Sequence, residues 1–94
     1  MTVIQQQDFP GAIFKVVVAS PDGSKSEHSV HISRSYFEEL TNGAASVETV
    51  IIQSFHFLLE REPKESILAE FDLPVISRYF PEYEATIQKE IGHF

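Results

Sequence analysis

Residues 46–62, Ser-Val-Glu-Thr-Val-Ile-Ile-Gln-Ser-Phe-His-Phe-Leu-Leu-Glu-Arg-Glu, constrain the fold more than any other stretch of the chain. Ser46 opens a helix there as its N-cap, because its side-chain oxygen can accept from a free amide of the first turn. Pro63 closes the helix, since proline has no N–H and its ring clashes with the turn before it. Between these signals Val47, Val50, Ile51, Phe55, Leu58 and Leu59 recur at helical spacing on one face. Ile52 and Phe57 lie outside that stripe, on opposite flanks. A helix apolar over so much of its circumference is either the centre of a small fold or half of a subunit interface. The spacing therefore predicts a central helix at about 47–62, and self-association through it is one candidate mode of assembly.

The rest of the chain supplies what such a helix needs to pack against. Residues 12–20, Ala-Ile-Phe-Lys-Val-Val-Val-Ala-Ser, are rich in β-branched types and read as a strand. Pro21-Asp22-Gly23 is turn chemistry: proline presets φ, aspartate tolerates the next position, and glycine supplies positive φ. Residues 25–33 alternate and read as the returning strand. A three-residue loop pairs Ser20 with Ser24, which sets Phe14 opposite Val30, Val16 opposite His28 and Ala12 opposite Ile32. That register collects Phe14, Val16, Val18, His28, Val30 and Ile32 on one face. Lys15, Val17, Glu27, Ser29 and His31 then share the other, and a slip by one residue would spoil the segregation.

Ser33 or Ser35 opens a short helix with Tyr36, Phe37 and Leu40 on its apolar side, and Asn42-Gly43 ends it with a left-handed residue. After Pro63, residues 64–71 suit a short helix. Asp72 is placed to cap another near Pro74, and Pro81 forces a further start, with Tyr83, Ile87 and Ile91 at i, i+4 spacing. The fold class expected is α+β: an N-terminal β-hairpin at about 12–20 and 25–33 packed against a mostly helical C-terminal part. Its 94 residues fit a single domain, 1–94, in which residues 1–10 are expected to form a flexible arm.

Composition narrows the chemistry. With no cysteine there is no disulfide, thiolate metal site or thiol nucleophile. Residues 1–8 have neither a basic stretch nor a long apolar run, so no signal peptide is expected, and no run of apolar residues is long enough to span a membrane. A cytoplasmic location fits these features. The net charge is −7, with residues 46–94 carrying nine Asp/Glu against four Lys/Arg. An acidic surface repels phosphate backbones, which argues against nucleic acid.

No constellation of catalytic type stands out, so neither catalysis nor a cofactor or metal is expected. His28 and His31 are three apart in a strand and point to opposite faces. His56 sits at the boundary of the long helix, and His93 is expected to be mobile. Glu60, Glu62, Glu65, Glu70 and Asp72 are not spaced as an acid/base pair and read as solubilising charge. No Gly-rich phosphate loop, nucleophile elbow or zinc-binding helix is present.

The stretch Ser29-Val-His-Ile-Ser33, then Tyr36–Leu40, Gly43-x-x-Ser46-x-Glu48 and Ile51–Leu59, resembles the ribbon-helix-helix family over residues 29–59. The resemblance implies a dimeric DNA-binding regulator whose strand pairs with its twin and presents Glu27, Ser29 and His31 to the major groove. The chain departs from that pattern in its acidic Glu27, its scarcity of basic residues and a preceding strand ready to pair within the same chain.

Three functions are therefore open. The first is a small acidic, non-catalytic protein-interaction or regulatory module whose partner surface draws on Ile52, Phe57, Tyr79, Glu82, Tyr83 and Glu84. The second is the ribbon-helix-helix regulator. The third is a small ligand-binding protein or enzyme with Phe55, Phe71, Tyr79, Phe80 and Tyr83 around a pocket.

Overall fold

One four-stranded sheet organises the molecule in the computed structural model, which describes residues 1–92. Its strands are β1 (Thr2–Gln7), β2 (Ala12–Ala19), β3 (Lys25–Ile32) and β4 (Glu70–Asp72), in the order β1-β2-β3-β4. The first three run antiparallel in succession, whereas β4 lies parallel to β3. The helices are α1 (Arg34–Thr41), α2 (Val47–Leu59), α3 (Val75–Tyr79) and α4 (Tyr83–Glu90), with one 3-10 turn at Lys64–Ser66. This is the α+β architecture expected, an N-terminal sheet followed by helices.

The hairpin forms in the register that the turn residues require. Phe14 pairs with Val30, Val16 with His28 and Ala12 with Ile32. The Ser20 amide donates to the Ser24 carbonyl at 2.8 Å, which closes the three-residue loop, and Gly23 takes φ +90°. The Asp22 carboxylate accepts from both the amide (3.0 Å) and the hydroxyl (2.7 Å) of Ser24. Ala12, Phe14, Val16, Val18, His28, Val30 and Ile32 are all buried on one face.

Residues 2–7 form a strand, not the flexible arm expected of residues 1–10. The alternation that marks a strand is missing because only Val3 of these six is partly covered. The pairing runs Thr2 with Val17 to Gln5 with Phe14, and a bulge separates Gln5 from Gln7.

Ser33 is the N-cap of α1, its hydroxyl accepting from the Tyr36 amide, and Asn42 ends that helix in the left-handed conformation. Ser46 caps α2 by accepting from the Thr49 amide. The helix stops at Leu59, three residues short of the expected end: the Arg61 amide turns to the Leu58 carbonyl, three residues back, in a tightened turn ahead of Pro63. Its apolar stripe meets the sheet: the Phe55 ring lies 5.4 Å from His28 and 6.2 Å from Phe71. The Phe57 flank, outside that stripe, is covered too. Phe57 packs edge-on against Phe80 and Tyr83, with the Arg61 guanidinium 3.6 Å above its ring.

The segment 64–71 is not a helix. Ile67 and Phe71 have helical spacing and both are buried, but they reach the core from a nearly extended chain. Its backbone is bound by β3 instead: the Ser29 amide donates to the Ala69 carbonyl (2.7 Å) and the Leu73 amide to the His31 carbonyl (2.8 Å). Asp72 therefore belongs to β4 and caps nothing; α3 begins after Pro74 without a side-chain cap.

Candidate functional site

An apolar cleft of about 370 Å³ opens where the end of α2, the chain leading into β4, and α3 converge. Leu58, Ile67, Phe71 and Ile76 form its buried floor, with Phe80 half-buried beside them. Leu68 and Tyr79 stand on its rim, 48% and 67% exposed. Glu62 and Ser66 supply polar lining.

The rim is held from below. The Leu68 carbonyl can only accept, so His28 Nδ1 carries a proton and donates to it at 2.8 Å; Nε2 of the same ring meets the Ser26 hydroxyl at 2.7 Å. His28 is thus a buried tie between β3 and the cleft wall. Lys64, also buried, anchors the start of that wall. Its ammonium donates to the Ser24 hydroxyl at 2.8 Å and to the Glu65 carboxylate, joining the hairpin turn to the 3-10 turn. The hydrogen bond from Lys64 holds the Glu65 carboxyl below its ordinary value, and the Ser24 hydroxyl does the same for Asp22.

The six residues expected to form a partner surface do not share one. Phe57 (2% exposed) and Tyr83 (fully buried) lie in the core and cannot contact a partner. The Tyr83 hydroxyl sits 2.6 Å from Ser54 Oγ, which itself donates to the Val50 carbonyl, so Tyr83 is the donor of the pair. Burial raises its pKa. Ile52 is half-buried on α2. Glu82 accepts from Arg61 at 3.4 Å, and Glu84 accepts from the Tyr36 hydroxyl at 2.8 Å. Burial and that bond to Glu84 raise the Tyr36 pKa. Tyr79 alone of the six lines the cleft.

Of the aromatic residues expected around a pocket, Phe71, Tyr79 and Phe80 line this cleft, whereas Phe55 and Tyr83 are core. Sequence reasoning missed Leu68, which inside a supposed helix had no reason to differ from Ile67. In an extended chain adjacent side chains point opposite ways, and that places Ile67 inward and Leu68 outward.

A second groove of about 460 Å³ runs between α2 and α4, lined by His56, Glu60 and Glu90 among others. Among the described residues no group of three His, Cys, Asp or Glu is placed to hold a metal ion, and no helix is long and apolar enough to cross a membrane. The reading of His93 falls outside the described residues. Strand β3, which the ribbon-helix-helix resemblance would pair with a twin, has β2 on one edge and β4 on the other. No protein-family model matches the chain, and comparison with curated proteins and with solved structures found no match.

Proposed function

We propose that this protein is a small non-catalytic interaction module, working in the cytoplasm, that takes an apolar side chain of a partner polypeptide into the cleft between α2, β4 and α3. The observation that carries this reading is the rim. Two of the four large hydrophobic side chains exposed among the described residues, Leu68 and Tyr79, flank one concave apolar floor. Exposed apolar residues gathered around a cleft mark a contact surface far more often than scattered ones do.

Charge defines the partner. Residues 58–84 hold seven Asp/Glu against three Lys/Arg, a net of −4. Two of those cations are already engaged, Arg61 with Glu82 and Lys64 with Glu65. Glu62, which lines the cleft, has no ion-pair partner among the described residues. A partner segment with a bulky apolar anchor flanked by Lys or Arg matches both features, since the charge steers encounter and the anchor sets residence. A cleft this small accommodates an affinity of roughly micromolar order, typical of transient contacts.

Selection of peptides from a display library on the intact protein tests this. The enriched sequences should place an aromatic or aliphatic residue beside basic ones, and Leu68→Ser and Tyr79→Ser should each weaken them about tenfold, the loss of a central anchor. Enrichment without that pattern, no enrichment, or affinities unchanged in both variants would reject the proposal.

A further inference from the structure

The other two exposed large hydrophobics, Met1 and Ile4 at 45% and 50%, lie at the opposite end of the sheet from the cleft wall, at and beside β1. The two outer strands of the sheet are unlike each other. β4 pairs over only three residues and carries Glu70 and Asp72 on the open face, with Glu70 bonded to His31 at 2.9 Å. Short length and charge are the usual protections of a sheet edge. β1 has neither. It runs for six residues, Thr-Val-Ile-Gln-Gln-Gln, without a charge or a proline, and only the bulge near its end interrupts it.

Alternate residues of an edge strand turn their N–H and C=O groups outward, so β1 offers a row of donors and acceptors that no strand pairs, although the Gln7 carbonyl accepts from the Gln5 side chain at 3.4 Å. An antiparallel pair of identical strands satisfies such a row reciprocally, because a two-fold axis sets each donor against its own acceptor. The open face favours the same arrangement. Ile4 pairs across to Lys15, whose ammonium is bound to Glu27 at 2.8 Å, so Ile4 has an apolar stem and no unpaired charge beside it. Charge selects the occupant further. The whole chain is −7, and two copies repel each other over most of their surfaces. Residues 1–27 contain Asp8, Asp22 and Glu27 against Lys15 and Lys25 and sum to −1, against −6 for residues 28–94, so β1 is where a second copy can approach with the least of that penalty.

We propose that the free edge of β1 pairs antiparallel with β1 of a second copy, joining the two sheets into one continuous sheet about a two-fold axis. The cleft lies beyond the opposite edge, at β4, so each copy keeps its own cleft open in the dimer. The pairing therefore stands or falls separately from the peptide-binding reading.

Sedimentation velocity from about 10 µM to about 1 mM, where a modest interface associates, reads the mass directly. Wild-type protein should pass from monomer to dimer in that range. Ile4→Lys, which sets like charges against each other at the axis, should weaken association about tenfold or more. Leu68→Ser should leave it unchanged. Hydrogen exchange on the wild type keeps the question decidable if Ile4→Lys misfolds: amides of residues 2–7 should gain protection as concentration rises, with no matching gain at residues 66–80. A monomer throughout the range would overturn the proposal. So would a dimer indifferent to Ile4→Lys, one broken by Leu68→Ser, or protection that does not change in β1.

Discussion

Ser54 and Tyr83 form the only fully buried side-chain pair in which both partners are hydroxyls among the described residues, and their bond has a direction. Ser54 spends its proton on the Val50 carbonyl, so Tyr83 must donate. Removing the acceptor strands a buried donor, whereas removing both partners leaves nothing unsatisfied. Ser54→Ala should therefore cost about 1–3 kcal/mol, and adding Tyr83→Phe to it should recover part of that loss, as read by urea denaturation. A double variant less stable than Ser54→Ala alone would show that the tyrosine hydroxyl has another partner. Tyr83, with Tyr36, also gives the fold a dependence on alkaline pH. Tyr83 and Tyr36 have raised pKa values, so the folded state holds their protons more tightly than the unfolded state does. Their contribution is complete below the ordinary tyrosine value near 10 and is lost as pH climbs above it. In a Tyr79→Phe background, tyrosinate absorbance should rise together with the loss of far-ultraviolet dichroism. On the acid side Asp22, Glu27 and Glu65 are lowered, Glu27 by its bond from Lys15. Their stabilisation is present above about pH 4 and fades as pH falls below it, weakly, because all three are exposed to solvent.

Elements whose side-chain pattern is set by one buried face were legible in the sequence. The hairpin register followed from Pro21-Asp22-Gly23 and the rule that a slip exchanges faces, and α2 followed from Ser46, Pro63 and a repeating stripe. The two outer strands were not legible, for a physical reason. β1 buries too little to alternate, and β4 pairs over three residues, fewer than two periods of a strand. Backbone bonds to β3 fix β4, and a sequence does not display them. The same gap hid the cleft, because Leu68 reaches solvent only when its segment is extended. The turn provides a test at this scale. Gly23 has φ +90° with nothing within 4 Å of where a Cβ would stand, so Gly23→Ala meets a conformational penalty and no clash. It should destabilise the fold by about 1–2 kcal/mol in thermal or chemical denaturation. A neutral outcome would mean that the turn relaxes to another type.

At the scale of the whole molecule, the helical mass closes over one face of the sheet and buries most of the apolar circumference of α2, with Val47, Ile52 and Leu59 half-covered. Phe57 and Tyr83, expected at the surface, complete that core. Among the described residues, the large apolar side chains that stay exposed divide between the cleft at one end and the free strand at the other. Most of the surplus negative charge lies in the half that carries the cleft, so partner encounter there should slow as salt is raised, through screening of that field. The most direct test of a binding role for the cleft is a backbone-amide NMR titration with a peptide bearing one bulky apolar residue between lysines. Shifts concentrated at Glu62, residues 66–68, Phe71 and residues 75–80 are the predicted result; no saturable shift, or shifts gathered instead around His56, Glu60 and Glu90 in the groove between α2 and α4, would contradict it.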